Sequence, residues 1–212
     1  ISIKTEQIEQ LNTYKEMLKE WNSVMDLTAI CDDESIIEKH FYDSLLSYKI
    51  VNYDNQSLLD VGTGAGFPGL VLKIVFPSLK VTLLEPTTKR CKFLSTVIEK
   101  LKLTDIEVIN ERAEDLIKKN QREKYDYVTA RAVSRLNVLL ELVTPFIKVN
   151  GIFIALKGKN ANLELKEAEN ALKILNVKLL KNYEFKLPSE EENRSILLLK
   201  KEAQTNIKYP RN

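Results

Sequence analysis

Residues 58–69 read LLDVGTGAGFPG and contain Gly62, Gly64, Gly66 and Gly69, four of the chain's six glycines. Glycine tolerates positive φ and lets a ligand approach the main chain closely, so this clustering after an apolar run points to a nucleotide-type loop rather than a simple turn. Two ligand classes compete for it. Gly64, Gly66 and Gly69 fit G-x-G-x-x-G, and Glu85 lies about 20 residues further on, where a dinucleotide fold places its ribose-binding acid. Against a pyrophosphate stand two residues. Asp60 would repel phosphate and attract a cationic amino-acid moiety, and Pro68 has no N–H to offer. The other reactive side chains are few. Cys31 and Cys91 lie far apart with no second thiol or histidine at metal-ligand spacing, which excludes a zinc cluster and a disulfide framework and fits a reducing compartment. His40 is the only histidine, so any mechanism that needs two is excluded.

These residues must be held by surrounding elements. Ile8, Leu11, Tyr14, Leu18 and Trp21 recur every three or four positions and predict a first helix with one apolar face. Asp32 and Asp33 offer capping carboxylates for a second, running through Ile36, Ile37, His40, Phe41, Leu45 and Leu46. From Ser57 the rhythm becomes strand–helix. Strands are predicted at 57–61, 80–85, 106–110, 125–130 and 151–156. Between them lie an apolar segment at 70–76, a helix capped by Thr88, a short helix at 113–117, a helix at 136–147 and another at 161–175. Residues 177–187 and 194–201 flank a polar turn and read as an antiparallel hairpin. Such alternation implies a mostly parallel seven-stranded sheet covered by helices, with residues 1–54 as a helical extension and residues 55–212 as the main domain. Ligands in such sheets bind beyond the carboxyl ends of the strands, so the loops after Val61, Glu85, Asn110, Ala130 and Leu156 are the ones to search.

Composition sets wider bounds. Hydrophobic residues are 44% and charged residues 29% of 212, a globular and not a disordered balance. No apolar run spans a membrane and no charged leader with an apolar stretch opens the chain, so a cytoplasmic protein is expected. Net charge is only +2, but it is unevenly spread: residues 1–60 carry 5 basic and 12 acidic side chains, and residues 61–160 carry 17 and 10. A locally basic middle segment could face a polyanion.

The pattern D-x-G-x-G-x-G, followed by an acid at the end of the second strand, resembles the S-adenosylmethionine-dependent methyltransferases, which implies their Rossmann-like fold. On that resemblance Gly62, Thr63, Gly64 and Gly66 wrap the methionine part of the cofactor, Asp60 attracts its ammonium and Glu85 accepts the ribose hydroxyls. The loop 112–114 then reaches the adenine edge. The segment T-A-R-A-V-S-R (129–135) lacks both the D/N-P-P-Y/F signature of exocyclic-amine methylation and a Pro-Cys nucleophile. A closer likeness covers nearly the whole chain: W-N-x-x-x-D-L-T-A-I (21–30), K-H-x-x-D-S (39–44), D-V-G-T-G-A-G-F-P-G (60–69), K-R-x-x-F-L (89–94), R-A-E (112–114), A-R-A (130–132), A-L-K-G (155–158) and Arg194. In these motifs the chain is similar to the bacterial 16S rRNA guanine-N7 methyltransferases, also called glucose-inhibited division protein B. It departs from their usual pattern at Asp26, Lys39 and Ala130, where Asn, Arg and Ser are common. The resemblance implies cofactor contacts by Gly62, Phe67, Ala113, Glu114 and Arg131, with Arg131 at the reaction mouth and no general base. It also implies RNA contacts by His40, Asp43, Ser44, Arg131, Lys157 and Arg194, a 16S rRNA substrate within the small ribosomal subunit, no metal, and a monomer.

Overall fold

The computed structural model describes residues 1–211. Helix α1 (Thr5–Met25) leads to α2 (Asp33–Ser35), a wide π-helical stretch (Ile36–Tyr42), α3 (Asp43–Leu45) and a 3-10 turn (Leu46–Lys49). Strand β1 (Ser57–Val61), α4 (Gly69–Val75), β2 (Lys80–Leu84), α5 (Thr88–Lys100), β3 (Ile106–Ile109), α6 (Ala113–Leu116) and β4 (Tyr125–Arg131) follow. The chain ends with α7 (Leu136–Val143), β5 (Ile147–Lys157), α8 (Ala161–Glu167), α9 (Glu169–Ile174), β6 (Val177–Lys186) and β7 (Asn193–Lys201). The sheet order is β3-β2-β1-β4-β5-β7-β6. The first five strands are parallel, and β7 runs antiparallel to both neighbours. The fold is thus the mixed, Rossmann-like sheet expected, with its switch point between β1 and β4.

Alternate residues of the strands feed two cores, because successive side chains point to opposite faces. Leu58, Leu83 and Ile154 join a cluster with Tyr14, Leu18, Ile36, Leu70 and Phe93, so α1, α4 and α5 cover one face together with the segment after Asp32. Leu59, Leu84 and Phe153 join Leu116, Leu140 and Leu175 on the other. Residues on both sides of position 54 therefore share one core.

Several local expectations shift. In α1 the inward stripe holds Gln7, while Ile8 is 48% exposed. Gln7 turns inward because its Nε2 donates to the carbonyls of Ile74 and Val75, which the end of α4 would otherwise leave unpaired. Asp32 caps as expected, accepting the Ser35 N–H at 2.8 Å. Thr88 does not cap: Thr87 is the capping position, and the Thr88 hydroxyl donates to Asn110. Strand β5 starts at Ile147, not Gly151, because Ile147 already pairs with Tyr125. Between these pairs the register jumps, and a Cβ at Gly151 would meet the Asp126 carbonyl at 2.7 Å. Glycine there marks a bulge and not a strand entry. The single helix expected at 161–175 breaks into α8 and α9 at Ala168.

Candidate functional site

The β1–α4 loop takes its shape from glycine. Gly62, Gly64 and Gly66 have φ of 66°, 61° and 105°, in the region that L side chains rarely enter. A Cβ at Gly62 would meet Val133 at 2.8 Å, whereas nothing lies within 4 Å of one at Gly64, so the main chain there is open to a ligand. Asp60, at the end of β1, is fully buried. Its Oδ2 accepts from the Thr63 hydroxyl at 2.6 Å and the Gly69 N–H at 2.8 Å, and Oδ1 has no partner. Burial pushes this carboxyl up to about 6, against the pull of Thr63, Gly69 and Arg131. A buried acid with one idle oxygen beside an open glycine main chain fits a ligand that brings a positive charge.

Glu85 follows the last residue of β2. It is buried, its Oε1 accepting the Thr87 N–H at 2.9 Å and its Oε2 the Gly64 N–H at 3.0 Å. A carboxylate offers about four lone-pair positions, so acceptor capacity remains for hydroxyl donors. Ala113 is buried at the start of α6 and Glu114 is exposed beside it. Cys91 is buried on α5 with its Sγ on the Glu85 carbonyl, a packing position.

A second group converges at the end of β4. Arg131 Nη1 donates to the Lys39 carbonyl at 3.0 Å and to Asp43 Oδ2 at 3.1 Å, and Nη2 lies 3.2 Å from His40 Nδ1. Helix geometry explains the first bond. The Asp43 N–H bonds to the carbonyls of Glu38 and His40, so the π-helical turn leaves the Lys39 carbonyl free for Arg131. Arg194 Nη1 reaches the same Asp43 oxygen at 3.3 Å, and its guanidinium is forked onto Glu190. Burial pushes the Asp43 carboxyl up while the two guanidiniums pull against it. Because arginine only donates, His40 Nδ1 must accept, which leaves its proton on Nε2, 2.8 Å from the Thr28 hydroxyl. Burial and Arg131 lower this histidine to about 4, so it is neutral at physiological pH. Its ring stacks on Phe67 at 4.3 Å between centroids, and Arg131 lies 5.2 Å from the Phe67 ring centre.

The structure thus gathers Asp60, Gly62, Thr63, Gly64, Gly66 and Glu85 into one cradle, and His40, Asp43, Phe67, Arg131 and Arg194 into an adjoining network. Four expected RNA contacts are not brought to an open surface: His40 and Asp43 are buried inside the network just described, and Ser44 and Lys157 are closed off beside it. Ser44 is fully buried, its hydroxyl donating to the His40 carbonyl. The Lys157 side chain is only 7% exposed, tied to Glu164 and the Ser134 carbonyl at 2.8 Å each, so it is not a free phosphate ligand. Beside the network opens a cleft of about 380 Å³ lined by Asp43, Arg131, Arg135, Phe185 and Arg194. Sequence reasoning missed Tyr14, whose hydroxyl donates to the Ala65 carbonyl, and Thr28, Arg135, Phe185 and Glu190. Tyr14 signalled only core packing, since it sits in an apolar stripe; Thr28 and Arg135 lie in segments already singled out, but nothing there marked these two residues, and Phe185 and Glu190 carry no motif. Among the described residues no group of three or more His, Cys, Asp or Glu is placed to hold a metal ion, and no helix is long and apolar enough to cross a membrane.

Comparison with known proteins bears on this site. The family model GidB, described as rRNA small subunit methyltransferase G, matches residues 7–196. The ribosomal RNA small subunit methyltransferase G of Acetivibrio thermocellus is 50% identical over 100% of this chain and 87% of its own. That of Bacillus cytotoxicus is 47% identical over 100% and 89%. Among solved structures, a SAM-dependent methyltransferase from Aquifex aeolicus matches with a TM-score of 0.59 at 18% identity, covering 79% of this chain and 94% of its own. TYW2 of M. jannaschii in complex with AdoMet matches with a TM-score of 0.62 at 15% identity, over 82% and 79%. These two share the fold.

Proposed function

Because this chain belongs to the GidB family, the rRNA small subunit methyltransferase G proteins, we propose that it moves the methyl group of S-adenosylmethionine to N7 of a guanine in 16S rRNA. Methylation of ribosomal RNA is the activity of the family; the acceptor atom and the manner of attack are our proposal, taken from the resemblance and supported by the groups at the site. The cofactor supplies an electrophilic methyl group on a sulfonium. Asp60 would hold its ammonium, the main chain of Gly62, Thr63, Gly64 and Gly66 its methionine part, and Glu85 its ribose. Ala113 and Glu114 would stand toward the adenine.

The observation that carries the acceptor is the state of the acid–base groups at the mouth. His40 already accepts from Arg131 through Nδ1, and Asp43 Oδ2 is held by Arg131 and Arg194. Taking up a proton at either bonded atom would break the network that orients Arg131. An acceptor that must lose a proton is poorly served here. Guanine N7 has an in-plane lone pair and no proton, so it can attack in line with no base, and alignment alone can supply roughly 7–11 kcal/mol. Since N7 must face the methyl group, Arg131 cannot read the base through the usual fork on O6 and N7. Stacking and the Watson–Crick edge remain, which calls for an unstacked base such as an rRNA loop offers. The enzyme would act as a monomer in the cytoplasm, where small subunits are found.

The test is mass mapping of 16S rRNA nucleosides after incubation with labelled S-adenosylmethionine, on free RNA and on small subunits in parallel. Label in 7-methylguanosine is expected. Label on an exocyclic nitrogen or a ribose hydroxyl, or none in 16S rRNA, would overturn the assignment.

A further inference from the structure

We propose that Tyr14, on the first helix, is a positioning residue for the methyl donor, its hydroxyl holding the glycine loop in the shape the donor requires. This rests on the reading that the loop binds S-adenosylmethionine. Tyr14 is fully buried, and its hydroxyl donates to the carbonyl of Ala65, at the centre of the loop. A Cβ at Gly66 would stand 2.6 Å from that oxygen, so the phenol occupies the space a side chain at 66 would take. The ring is fixed on both sides, stacked on Phe41 at 5.4 Å and on Phe67 at 5.6 Å. Phe67 stacks in turn on His40, which meets Arg131. A continuous series of rings therefore joins the N-terminal helices, the donor loop and the reaction mouth. Burial raises the phenol well above its ordinary range, so it stays protonated and donates.

The physical reason for such a tether lies in the loop itself. Three residues at positive φ within five positions make a segment with many accessible shapes, and besides the turn bonds to the Thr63 carbonyl and the Gly64–Glu85 bond, the Tyr14 hydroxyl is what holds it at Ala65. A bond equally present with and without donor would not alter affinity. A bond that keeps the empty loop ordered does, because without it the donor must order the loop on binding. Once the donor is bound the loop is ordered either way, so the chemical step is spared.

Tyr14→Phe keeps the ring and removes the tether. The control is Tyr53→Phe: Tyr53 is equally buried on the same core, and its hydroxyl donates to Ser47 at 2.8 Å, away from the loop. Donor binding is measured by calorimetry with S-adenosylmethionine, alongside the turnover rate at saturating donor and rRNA and the thermal midpoint. The Kd for donor should rise about tenfold in Tyr14→Phe, with the saturated rate within twofold of wild type and Tyr53→Phe unchanged in Kd. A donor Kd within twofold of wild type in Tyr14→Phe, an equal rise in both variants, or a loss of saturated rate without a rise in Kd would each overturn the proposal. Absence of donor binding in the wild-type protein would instead remove the underlying reading.

Discussion

Asp60 and His40 are displaced from their ordinary pKa in ways that make opposite demands on the protein. Burial raises Asp60 to about 6 and lowers His40 to about 4. For Asp60 the native state holds its proton up to a higher pH than the unfolded chain, so its contribution to stability is present in acid and is lost as pH rises from about 4 to 6. For His40 the unfolded chain takes up a proton near 6.5 that the native site refuses until about 4, so stability is lost as pH falls through that window. The two slopes oppose each other between about pH 4 and 6. Asp60→Asn should therefore unmask His40, and its thermal midpoint should fall more steeply with acid than that of wild type. The same carboxyl sets a ligand effect. Ionised Asp60 is a buried charge only partly compensated by Thr63, Gly69 and Arg131, with one free oxygen, and a bound ammonium would relieve it further. Affinity for S-adenosylmethionine should thus weaken as pH drops below about 6, by up to tenfold per unit, and Asp60→Asn should be flat with pH. Calorimetry from pH 5 to 7.5 checks this, and a wild-type affinity independent of pH would detach Asp60 from the donor.

The glycines show how the elements impose different requirements on one residue type. Gly69 opens α4, and a Cβ there would stand 2.6 Å from Leu83, 2.8 Å from Asp60 Oδ2 and 2.9 Å from Asp60 Cβ. Gly64 has free space but a φ of 61°. Gly69→Ala should cost about 1–3 kcal/mol of stability by overpacking. Gly64→Ala should cost about 1–2 kcal/mol in backbone strain and, in addition, weaken donor binding by placing a methyl where the ligand meets the main chain. Chemical denaturation of both variants and donor titration of Gly64→Ala against wild type separate the two; a donor affinity equal to wild type in Gly64→Ala would show that Gly64 serves the turn alone. The sequence made the strands, their order of appearance and the glycine loop legible because those signals are local: buried parallel strands read as continuous apolar runs, and positive φ selects glycine. Other features depend on partners distant in the chain. Gln7 displaces Ile8 from the buried stripe only because α4 ends beside it. The π-helical turn at Ile36–Tyr42 frees the Lys39 carbonyl for an arginine 92 positions away. Tyr14 has the spacing of a core residue and nothing local that foretells a bond to Ala65. Lys157 looks like a phosphate ligand until α8 brings Glu164 against it.

Across the whole molecule the basic middle segment is less available than its count suggests, because many of its cations already have partners. Lys148 pairs with Asp126, Lys119 with Glu111, and Lys157 with Glu164. The cations that could meet RNA must be both near the cleft and loosely held. Arg135 meets both conditions: it lines the cleft, its side chain is 75% exposed, and its one ion pair, with Glu167, is 3.4 Å long and open to solvent. Such a pair contributes well under about 1 kcal/mol and gives way to a phosphate. Lys157 meets only the first, since releasing it would leave the Glu164 carboxylate without its cation and break its bond to the Ser134 carbonyl. Each phosphate neutralised on single-stranded RNA adds about 0.7 to the dependence of log affinity on log salt. Binding to 16S rRNA should therefore weaken steeply with salt, and Arg135→Ala should lower that slope by about 0.7 while leaving the thermal midpoint nearly unchanged. Lys157→Met should do the reverse, lowering stability because Glu164 loses its cation and keeps only the Leu136 N–H, with little change in slope. Filter binding at four salt concentrations, with the thermal midpoint of each variant alongside, measures both quantities. A reduced slope in Lys157→Met and none in Arg135→Ala would mean that RNA binding pulls Lys157 out of its pair, and the cleft described here would then have to open before it could take its substrate.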